Sequence, residues 1–296
     1  MGVLGEALTA IVTPFKSDGA IDFERFSELA LHLVENGSDG IVVAGTTGES
    51  PTLTDDERLE LFRVAVDTLG GRATVIAGTG TYSTAHSIHL TREAHALGVD
   101  GFLVVAPYYN KPPARGIVQH FRAIAEVSDR PIVVYNIPGR VIVNLEPETI
   151  VELAEIPSVR AVKQANDDLV QARRIVGETD LTLYAGDDVL LFPFLELGAI
   201  GGICVHTHVA GAQVKRMIRS FHEGDVDAAR QIHEELQPAY ELLQVQINPI
   251  AIKAALNLLG HGVGGLRLPL VQANESEVTL VRDCLERLGV LSGAPV

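Results

Sequence analysis

Eight short apolar, β-branched segments recur along the first two-thirds of the chain, and this repetition constrains the fold more than any other feature. They are ALTAIV (7–12), GIVVA (40–44), ATVIAG (73–78), GFLVVA (101–106), PIVVYN (131–136), VRAVKQ (159–164), LTLYAG (181–186) and IGGICV (200–205). Segments with helical periodicity lie between them, and one begins with a capping-box pattern formed by Thr54 and Glu57. Strands that are apolar on both faces and alternate with helices are typical of a parallel sheet covered by helices.

The number of strand segments decides between the two common parallel-sheet folds. Eight strand–helix units are the number that closes a (β/α)8 barrel. An open, doubly wound sheet is the alternative, but no GxGxxG motif follows the first segment. After the eighth segment the pattern is purely helical, over roughly 209–222, 225–245, 248–259 and 275–289. The sequence therefore predicts an α/β fold: a (β/α)8 TIM barrel that forms a catalytic domain over 1–224, with a C-terminal helical extension over 225–296.

Charge and composition argue against several classes of protein. The 296-residue chain has a net charge of −15 and no basic run, so we expect no nucleic-acid partner and no membrane partner. The most apolar region, 189–205, is broken by Pro193 and Glu196 and falls short of the roughly 18 uninterrupted apolar residues of a membrane span. The N-terminus lacks the positive region of a signal peptide, and the two cysteines make no disulfide framework. We therefore expect a soluble, cytoplasmic enzyme.

The sixth strand segment ends in Lys163, at the end of the barrel where such folds carry their active sites. Strand alternation puts Val159, Ala161 and Lys163 on one face, so an amine lies on an apolar, core-facing row. A lysine in this position either extends to solvent or pairs with a carboxylate in many proteins. An unpaired ammonium there costs several kcal/mol, and its desolvation favours the neutral amine that Schiff-base chemistry requires. We therefore predict that Lys163 is catalytic.

Three further strand ends carry polar side chains with more than one interpretation. Tyr135 is either a core residue with a bonded hydroxyl or, beside a reactive lysine, a proton carrier. Arg140, in a Pro-Gly loop, is either a solvated cation or a clamp for a carboxylate. The loop GTTGES (45–50) brings backbone N–H groups and hydroxyls together and suits a small carboxylate. The adjacent Tyr108 and Tyr109 are a packing element, a lid or an element that reaches a neighbouring subunit.

Histidines and aspartates at the last two strand ends raise the alternative of a metal site. His206 and His208 follow the eighth segment at a spacing that two ligands of one ion can adopt, and Asp187 and Asp188 follow the seventh. No histidine ends another strand segment, so the set lacks the further imidazole ligand of a metal-dependent barrel hydrolase. We therefore expect no catalytic metal.

Seven motifs follow one another along the chain: GTTGES, PYYNKP, YNIPGR, VKQA, AGDD, NPIAIKAAL and RLPL. In this combination the chain resembles the dihydrodipicolinate synthase family of class I aldolases, over roughly residues 6–289. The resemblance implies a (β/α)8 barrel with a C-terminal helical domain, assembled as a homotetramer that needs no cofactor. It also implies pyruvate and L-aspartate 4-semialdehyde as the small-molecule substrates.

The same resemblance implies the roles of the residues at the strand ends. Lys163 would form the Schiff base with pyruvate. Tyr135 would relay protons together with Thr46 and with Tyr109, which the family lends to a neighbouring subunit's site. Thr47 and the adjacent backbone N–H groups would hold the pyruvate carboxylate.

Three residues complete the implied pocket. Ile203 and Gly186 would line it, and Arg140 would lie at its mouth and meet the carboxylate of aspartate semialdehyde. The chain departs from the usual family pattern at Val141, after the arginine, and at Gln164, after the lysine. Two alternatives stay open: another pyruvate-dependent aldolase, of the N-acetylneuraminate lyase or keto-deoxy-sugar-acid type, and a non-catalytic metabolite-binding barrel.

A last expectation concerns regulation by lysine. Lysine-sensitive members of the family commonly carry two histidines after GTTGES, then an asparagine and a glutamate after the third strand. This chain has Asp55, Arg58, Tyr82 and His86 at the matching positions. Because the partner for a ligand ammonium is missing and Arg58 adds a like charge, we predict weak or absent inhibition by lysine.

Overall fold

The computed structural model describes residues 4–291. Its strands are β1 (Ala7–Ala10), β2 (Gly40–Val43), β3 (Thr74–Gly78), β4 (Gly101–Val105), β5 (Ile132–Asn136), β6 (Val159–Gln164), β7 (Thr182–Ala185) and β8 (Gly201–Cys204). Its helices are α1 (Phe23–Glu35), α2 (Asp55–Leu69), α3 (Thr84–Ala96), α4 (Ala114–Ala125), α5 (Pro138–Val141), α6 (Pro147–Ala154), α7 (Leu169–Glu178), α8 (Leu191–Glu196), α9 (Thr207–His222), α10 (Val226–Glu235), α11 (Gln237–Gln244), α12 (Ile250–Leu258) and α13 (Glu275–Arg287). Each strand is therefore followed by at least one helix.

The strands form one closed, fully parallel barrel in chain order, because β8 pairs with β1. This confirms the predicted fold. The barrel interior is filled by apolar side chains from every strand and from the segment before β1: Leu4, Leu8, Ala10, Val42, Ile76, Leu103, Val133, Tyr135, Ala161, Tyr184 and Ile203.

The row of β6 that carries Lys163 differs from the prediction at its first residue. Ala161 faces the barrel interior, but Val159 packs in the outer core between the strands and the helices. The reason is a register shift between β5 and β6 at Ile132, after which Tyr135 pairs with Lys163. Lys163 still follows Ala161 on the interior row, so the inference about its position holds.

Local signals account for the ends of several helices. Thr54 and Glu57 form the predicted capping box at the start of α2: the hydroxyl accepts from the Glu57 N–H at 3.2 Å, and the carboxylate accepts from the Thr54 N–H at 2.9 Å. The helix predicted over 225–245 is instead two helices, α10 and α11, because Pro238 in the first turn of α11 has no N–H to continue the bonding of α10.

The C-terminal helices pack beside the barrel. α10 packs against α9, the helix that follows β8, and α11 and α12 both pack on α13. The division into two domains after residue 224 stays a prediction. Among residues 4–291, no helix is long and apolar enough to cross a bilayer.

Candidate active site

A cavity of about 320 Å³ opens at the carboxyl ends of the barrel strands. Its wall comes from residues that follow β2, β5, β6, β7 and β8, and from α11. A wider cavity, of about 850 Å³, lies at the opposite end of the barrel, among residues such as those of 125–129 and 155–158. Barrel enzymes carry their active sites at the carboxyl ends of the strands, so we take the smaller cavity as the candidate site.

Lys163 lies on the wall of this cavity and is only 5% exposed. Its Nζ atom lies 4.3 Å from the centre of the Tyr135 ring, on the neighbouring strand. Among the described residues, no carboxylate forms a salt bridge with this amine. The structure thus brings together the predicted nucleophile and the predicted proton carrier, and it leaves the amine without a counter-charge in direct contact.

Gly186 is the residue that leaves room for this lysine. A Cβ atom at position 186 would lie 2.8 Å from Cβ of Ala165 and 2.9 Å from Cγ of Lys163. Distances below about 3.5 Å between carbon atoms are repulsive. A side chain at this position would therefore displace the Lys163 side chain. The glycine has a direct function here, because it leaves room for the lysine.

Thr47 and Arg140 are connected through Asn248, a residue that the sequence analysis did not single out. The Asn248 side-chain amide donates to the Thr47 hydroxyl at 2.9 Å, and its backbone carbonyl accepts from the Arg140 guanidinium at 3.3 Å. All three residues line the cavity. Asn248 belongs to the NPIAIKAAL motif, so the signal was present, but only the fold reveals that this motif reaches the strand ends.

A buried ion pair holds the GTTGES loop (45–50) in place. Glu49, at the fifth position of the motif, is 0% exposed at its side chain and pairs at 2.9 Å with the ammonium of Lys253 on α12. The same ammonium donates to the Thr13 carbonyl at 2.8 Å, and the Arg267 N–H donates to the second Glu49 oxygen at 3.0 Å. The C-terminal helices therefore fix the loop that carries Thr46 and Thr47.

Thr46 lies between the main cavity and a second, small cavity of about 40 Å³. Tyr135 lines both of them. No hydrogen bond joins the two hydroxyls in the part of the chain that the structure describes. Both residues line the small cavity. The predicted proton relay requires a hydrogen bond between the two hydroxyls to form when substrate binds.

The carboxylate of Asp188 is held by the start of the segment after β8. One of its oxygens accepts from the N–H of Val205 at 2.7 Å, from the N–H of His206 at 2.6 Å, and from Nδ1 of His206. Burial opposes ionisation of Asp188, but the charge and hydrogen bonds of His206 and the two backbone donors lower its pKa below the usual value. Desolvation at the cavity wall and the neighbouring charge of Asp188 raise the pKa of Asp187.

Asp188, Cys204 and His206 are the one group of metal-ligating side chains within 4.8 Å of one another that the described residues provide. The donors are already engaged in other ways. Asp188 and His206 are bonded to each other, and burial raises the pKa of the Cys204 thiol well above its usual value, which keeps it protonated. A metal would have to break these contacts, so the donor chemistry favours the hydrogen-bonded pair.

His208 does not join His206 in a common site. Its Nε2 accepts from the Val12 N–H at 3.3 Å, and its Nδ1 donates to the Val205 carbonyl at 2.8 Å. Burial lowers the pKa of His208 to about 4, so the ring is neutral. The residue ties the end of β1 to the end of β8, which is a structural role.

Two predicted site residues do not line the cavity. Tyr109 is 90% exposed, and its backbone has a φ of 71°. Ile203 was expected to line the pocket, but it lies in the barrel interior and is 0% exposed. Its side chain belongs to the closely packed core of the barrel, and Val205 and Val189 form the cavity wall at this side.

The positions considered for lysine regulation form contacts of their own. His86 pairs with Asp55 at 2.8 Å, and Arg58 donates to the Ser50 carbonyl at 2.6 Å. The Tyr82 ring packs edge-to-face on Tyr108 with 5.3 Å between the ring centres. The Arg58 guanidinium is thus held by a backbone carbonyl, and the residue is buried.

Comparison with known proteins supports the interpretation of the motifs. The model of the Dihydrodipicolinate synthetase family matches residues 3–288. The chain is 49% identical to 4-hydroxy-tetrahydrodipicolinate synthase of Moorella thermoacetica over 289 residues, which are 97% of this chain and 99% of that protein. It is 48% identical to the protein of the same name from Desulforamulus reducens over 291 residues, 97% of this chain and 98% of that protein.

Solved structures agree with the sequence relatives. Dihydrodipicolinate synthase from Cyanidioschyzon merolae, with lysine bound, superposes with a TM-score of 0.96 at 46% identity and covers 98% of this chain and 100% of its own. A variant described as the first monomeric dihydrodipicolinate synthase superposes with a TM-score of 0.95 at 41% identity and covers 98% of both chains. The family match, the near-complete coverage and the shared barrel confirm the resemblance seen in the motifs. The chain belongs to the dihydrodipicolinate synthetase family.

Proposed function

We propose that this chain is a 4-hydroxy-tetrahydrodipicolinate synthase, a lyase that condenses pyruvate with L-aspartate 4-semialdehyde through a Schiff base on Lys163. The observation that carries the proposal is the Lys163 amine, which is 5% exposed and lies on the cavity wall. Among the described residues no carboxylate forms a salt bridge with this amine, so it is placed to attack the carbonyl group of a substrate bound in the cavity. The relatives that bear this enzyme name support the choice of the two substrates.

The chemistry follows from the properties of the amine adduct. The Lys163 nitrogen adds to the ketone of pyruvate and water leaves, which gives an iminium ion. The iminium withdraws electrons and makes the methyl group acidic, so loss of a proton yields an enamine. The enamine carbon attacks the aldehyde, and the amine of that substrate then displaces the lysine nitrogen as the ring closes. Lys163 is thereby released for the next cycle.

The proton transfers are assigned to hydroxyl groups near the lysine. Tyr135 is packed against the Lys163 amine, and Thr46 shares a small cavity with Tyr135. Thr47, with adjacent backbone N–H groups, would bind the pyruvate carboxylate; Arg140 would bind the carboxylate of the aldehyde substrate at the mouth of the cavity. Gly186 supports the site by leaving space for Lys163.

Borohydride reduction in the presence of pyruvate tests the Schiff base directly. Peptide mapping should locate the reduced adduct on Lys163, and Lys163→Ala should abolish the label. Lys253 is a matched internal control because it is also buried, at 1% exposed, but is paired with Glu49. Label on Lys253 or another lysine, or activity that is lost only with a chelator, would contradict the assignment.

We further propose that Tyr109 completes the site of a neighbouring subunit in a homotetramer. An exposed tyrosine with a positive φ is an unfavourable arrangement for an isolated chain, since such backbone strain costs on the order of 1–3 kcal/mol. Strain of this kind is concentrated at functional sites. A contact across a subunit interface would use the aromatic ring and explain why Tyr109 does not line the cavity of its own chain.

Mixed subunits test this assignment. Tyr109→Phe and Lys163→Ala chains are each expected to be inactive, because each lacks one essential group. Hybrids should recover part of the activity, since one of their sites receives both intact residues. Hybrids without activity, or a fully active monomer, would show that the site is not shared.

The identity of the aldehyde is tested at Arg140. Arg140→Ala should reduce condensation with aspartate semialdehyde more than it reduces Schiff-base formation with pyruvate. Equal or better turnover of sugar-derived aldehydes would move the enzyme to the pyruvate-dependent aldolases of the alternative hypothesis. The cytoplasm as the location, and the division into a barrel over 1–224 and a helical domain over 225–296, belong to the same proposal.

A further inference from the structure

Asp188 and His206 form a buried pair at the wall of the cavity, and the mechanism above uses neither of them. Asp188 follows β7 and His206 follows β8, so the pair joins two adjacent strand ends. One carboxylate oxygen of Asp188 accepts all three donors that reach it, two backbone N–H groups and Nδ1 of His206. This arrangement stabilises the negative charge of the carboxylate, because three donors converge on one oxygen.

His206 has no other polar contact for its ring. The residue is 0% exposed, and Nε2 has no hydrogen-bond partner within residues 4–291. The Tyr240 ring from α11 covers it, with 5.5 Å between ring centres, and the Tyr240 hydroxyl is engaged with Nδ1 of His233 at 3.0 Å. A carboxylate only accepts, so Nδ1 of His206 is the donor in this pair. The single polar function of this side chain is therefore to hold Asp188.

The second oxygen of Asp188 is the free group of the pair. It has no hydrogen-bond partner in the described part of the chain, and it is not among the fully enclosed polar atoms without a partner. The Asp188 side chain is 12% exposed, and the residue lines the cavity. The free oxygen therefore faces the cavity, where a ligand can reach it.

The charge of the free oxygen restricts what it can recognise. Arg140 lines the same cavity and offers a cation. Aspartate semialdehyde carries one carboxylate and one ammonium group, so a cavity that offers one cation and one fixed carboxylate matches both. Asp187 is the competing carboxylate, but its pKa is raised by desolvation and by the charge of Asp188, which makes it the more easily protonated of the two.

We propose that Asp188 binds the ammonium group of the aldehyde substrate and that His206 is the positioning residue that holds Asp188 for this contact. The inference rests on the proposed function and adds to it the residue that distinguishes an amino aldehyde from one without an amine. Because His206 acts through Asp188, changes at either position should affect the second substrate and leave the first half-reaction with pyruvate intact.

The test compares two aldehydes on the Asp188→Asn enzyme. Succinate semialdehyde has the same carbon chain and carboxylate as aspartate semialdehyde but no amine. We expect the KM for aspartate semialdehyde to rise by about tenfold or more, the range of a lost hydrogen bond between charged groups. The inhibition constant of succinate semialdehyde and the borohydride trapping of pyruvate should stay unchanged. A kcat loss with an unchanged KM, or equal weakening of both aldehydes, would overturn the proposal.

Two further variants separate positioning from packing. Asp187→Asn is the matched control. If this variant, and not Asp188→Asn, shows the selective loss of affinity for aspartate semialdehyde, the contact belongs to Asp187 and the proposal is overturned. His206→Leu keeps the size of the side chain but removes the donor, so it should reproduce the selective rise in KM. His206→Asn retains an N–H donor and should restore part of the affinity; no difference between these two variants would refute the positioning role.

The experiment also distinguishes failure of this inference from failure of the proposed function. A wild-type enzyme that traps no pyruvate, or turns over no aspartate semialdehyde, contradicts the function itself. A wild-type enzyme that does both, with an Asp188→Asn variant that keeps its preference for the aminated aldehyde, contradicts only the role of Asp188. If His206→Leu does not fold, the Asp188→Asn comparison still decides the proposal, since that change keeps the shape of the side chain.

Discussion

Gly186→Ala should reduce the reactivity of Lys163 although it adds only one methyl group. The new Cβ atom would lie 2.9 Å from Cγ of Lys163, 2.8 Å from Cβ of Ala165 and 3.0 Å from the Gln164 carbonyl oxygen. Favourable carbon–carbon separations are about 3.5–4.0 Å. The lysine side chain must therefore move by about 0.6–1 Å. The other two neighbours cannot move as easily, because one is a backbone carbonyl oxygen and the other is a Cβ atom attached directly to the backbone.

The size of the effect follows from this displacement. A misplacement of about 1 Å can cost about a hundredfold in rate, so we expect kcat/KM for pyruvate to fall by about ten- to a hundredfold. Overpacking of this kind costs about 1–3 kcal/mol in the free energy of unfolding. Steady-state kinetics with varied pyruvate, borohydride trapping rates and urea unfolding measure the three quantities on the same preparation.

Gly139→Ala is the matched control. Gly139 precedes Arg140 in helix α5, but a Cβ atom there would have no heavy atom within 4 Å. We expect its pyruvate kinetics to match those of the wild type. Wild-type kcat/KM in Gly186→Ala, or an equal loss in both variants, would refute the claim that the glycine makes room for the lysine.

Three further predictions concern stability and regulation. Lys253→Met removes one partner of a buried ion pair and should lower the free energy of unfolding by about 3–5 kcal/mol in urea titrations, with recovery in the double variant that also carries Glu49→Gln; a loss below about 1 kcal/mol would contradict the buried-pair argument. Burial lowers the pKa of His208 and of His120 from 6.5 to about 4. The folded protein therefore holds both rings neutral, and their contribution to the free energy of unfolding is complete above pH 6.5 and is lost as the pH falls towards 4. Urea unfolding at several pH values should show a loss of about 3 kcal/mol for each histidine across that range, and stability that is constant from pH 6.5 to 4 would contradict it. L-lysine at subsaturating pyruvate should inhibit weakly or not at all, because Arg58 places a cation among the positions expected to bind lysine. Inhibition at sub-millimolar lysine in an initial-rate titration would show that lysine binds there through other contacts.

Patterns that are local or periodic were predictable from the sequence. The eight strands follow from the alternation of apolar runs with helical segments, and the barrel follows from their number. Lys163 was located because side chains alternate along a strand, although Val159 left the predicted row where the register shifts. The cap of α2 by Thr54 was also predictable, since both of its hydrogen bonds join residues three positions apart.

Contacts between distant parts of the chain were decided by the tertiary structure alone. Glu49 and Lys253 are 204 residues apart, and no sequence pattern pairs them. Asp188 and His206 were considered as metal ligands, but closure of the barrel bonds them to each other and turns His208 to another contact. The position of a strand end relative to its neighbours is set by barrel closure and by the packing of the C-terminal helices. For this reason the sequence alone determined which residues lie at the strand ends, whereas only the folded barrel decided which of them meet.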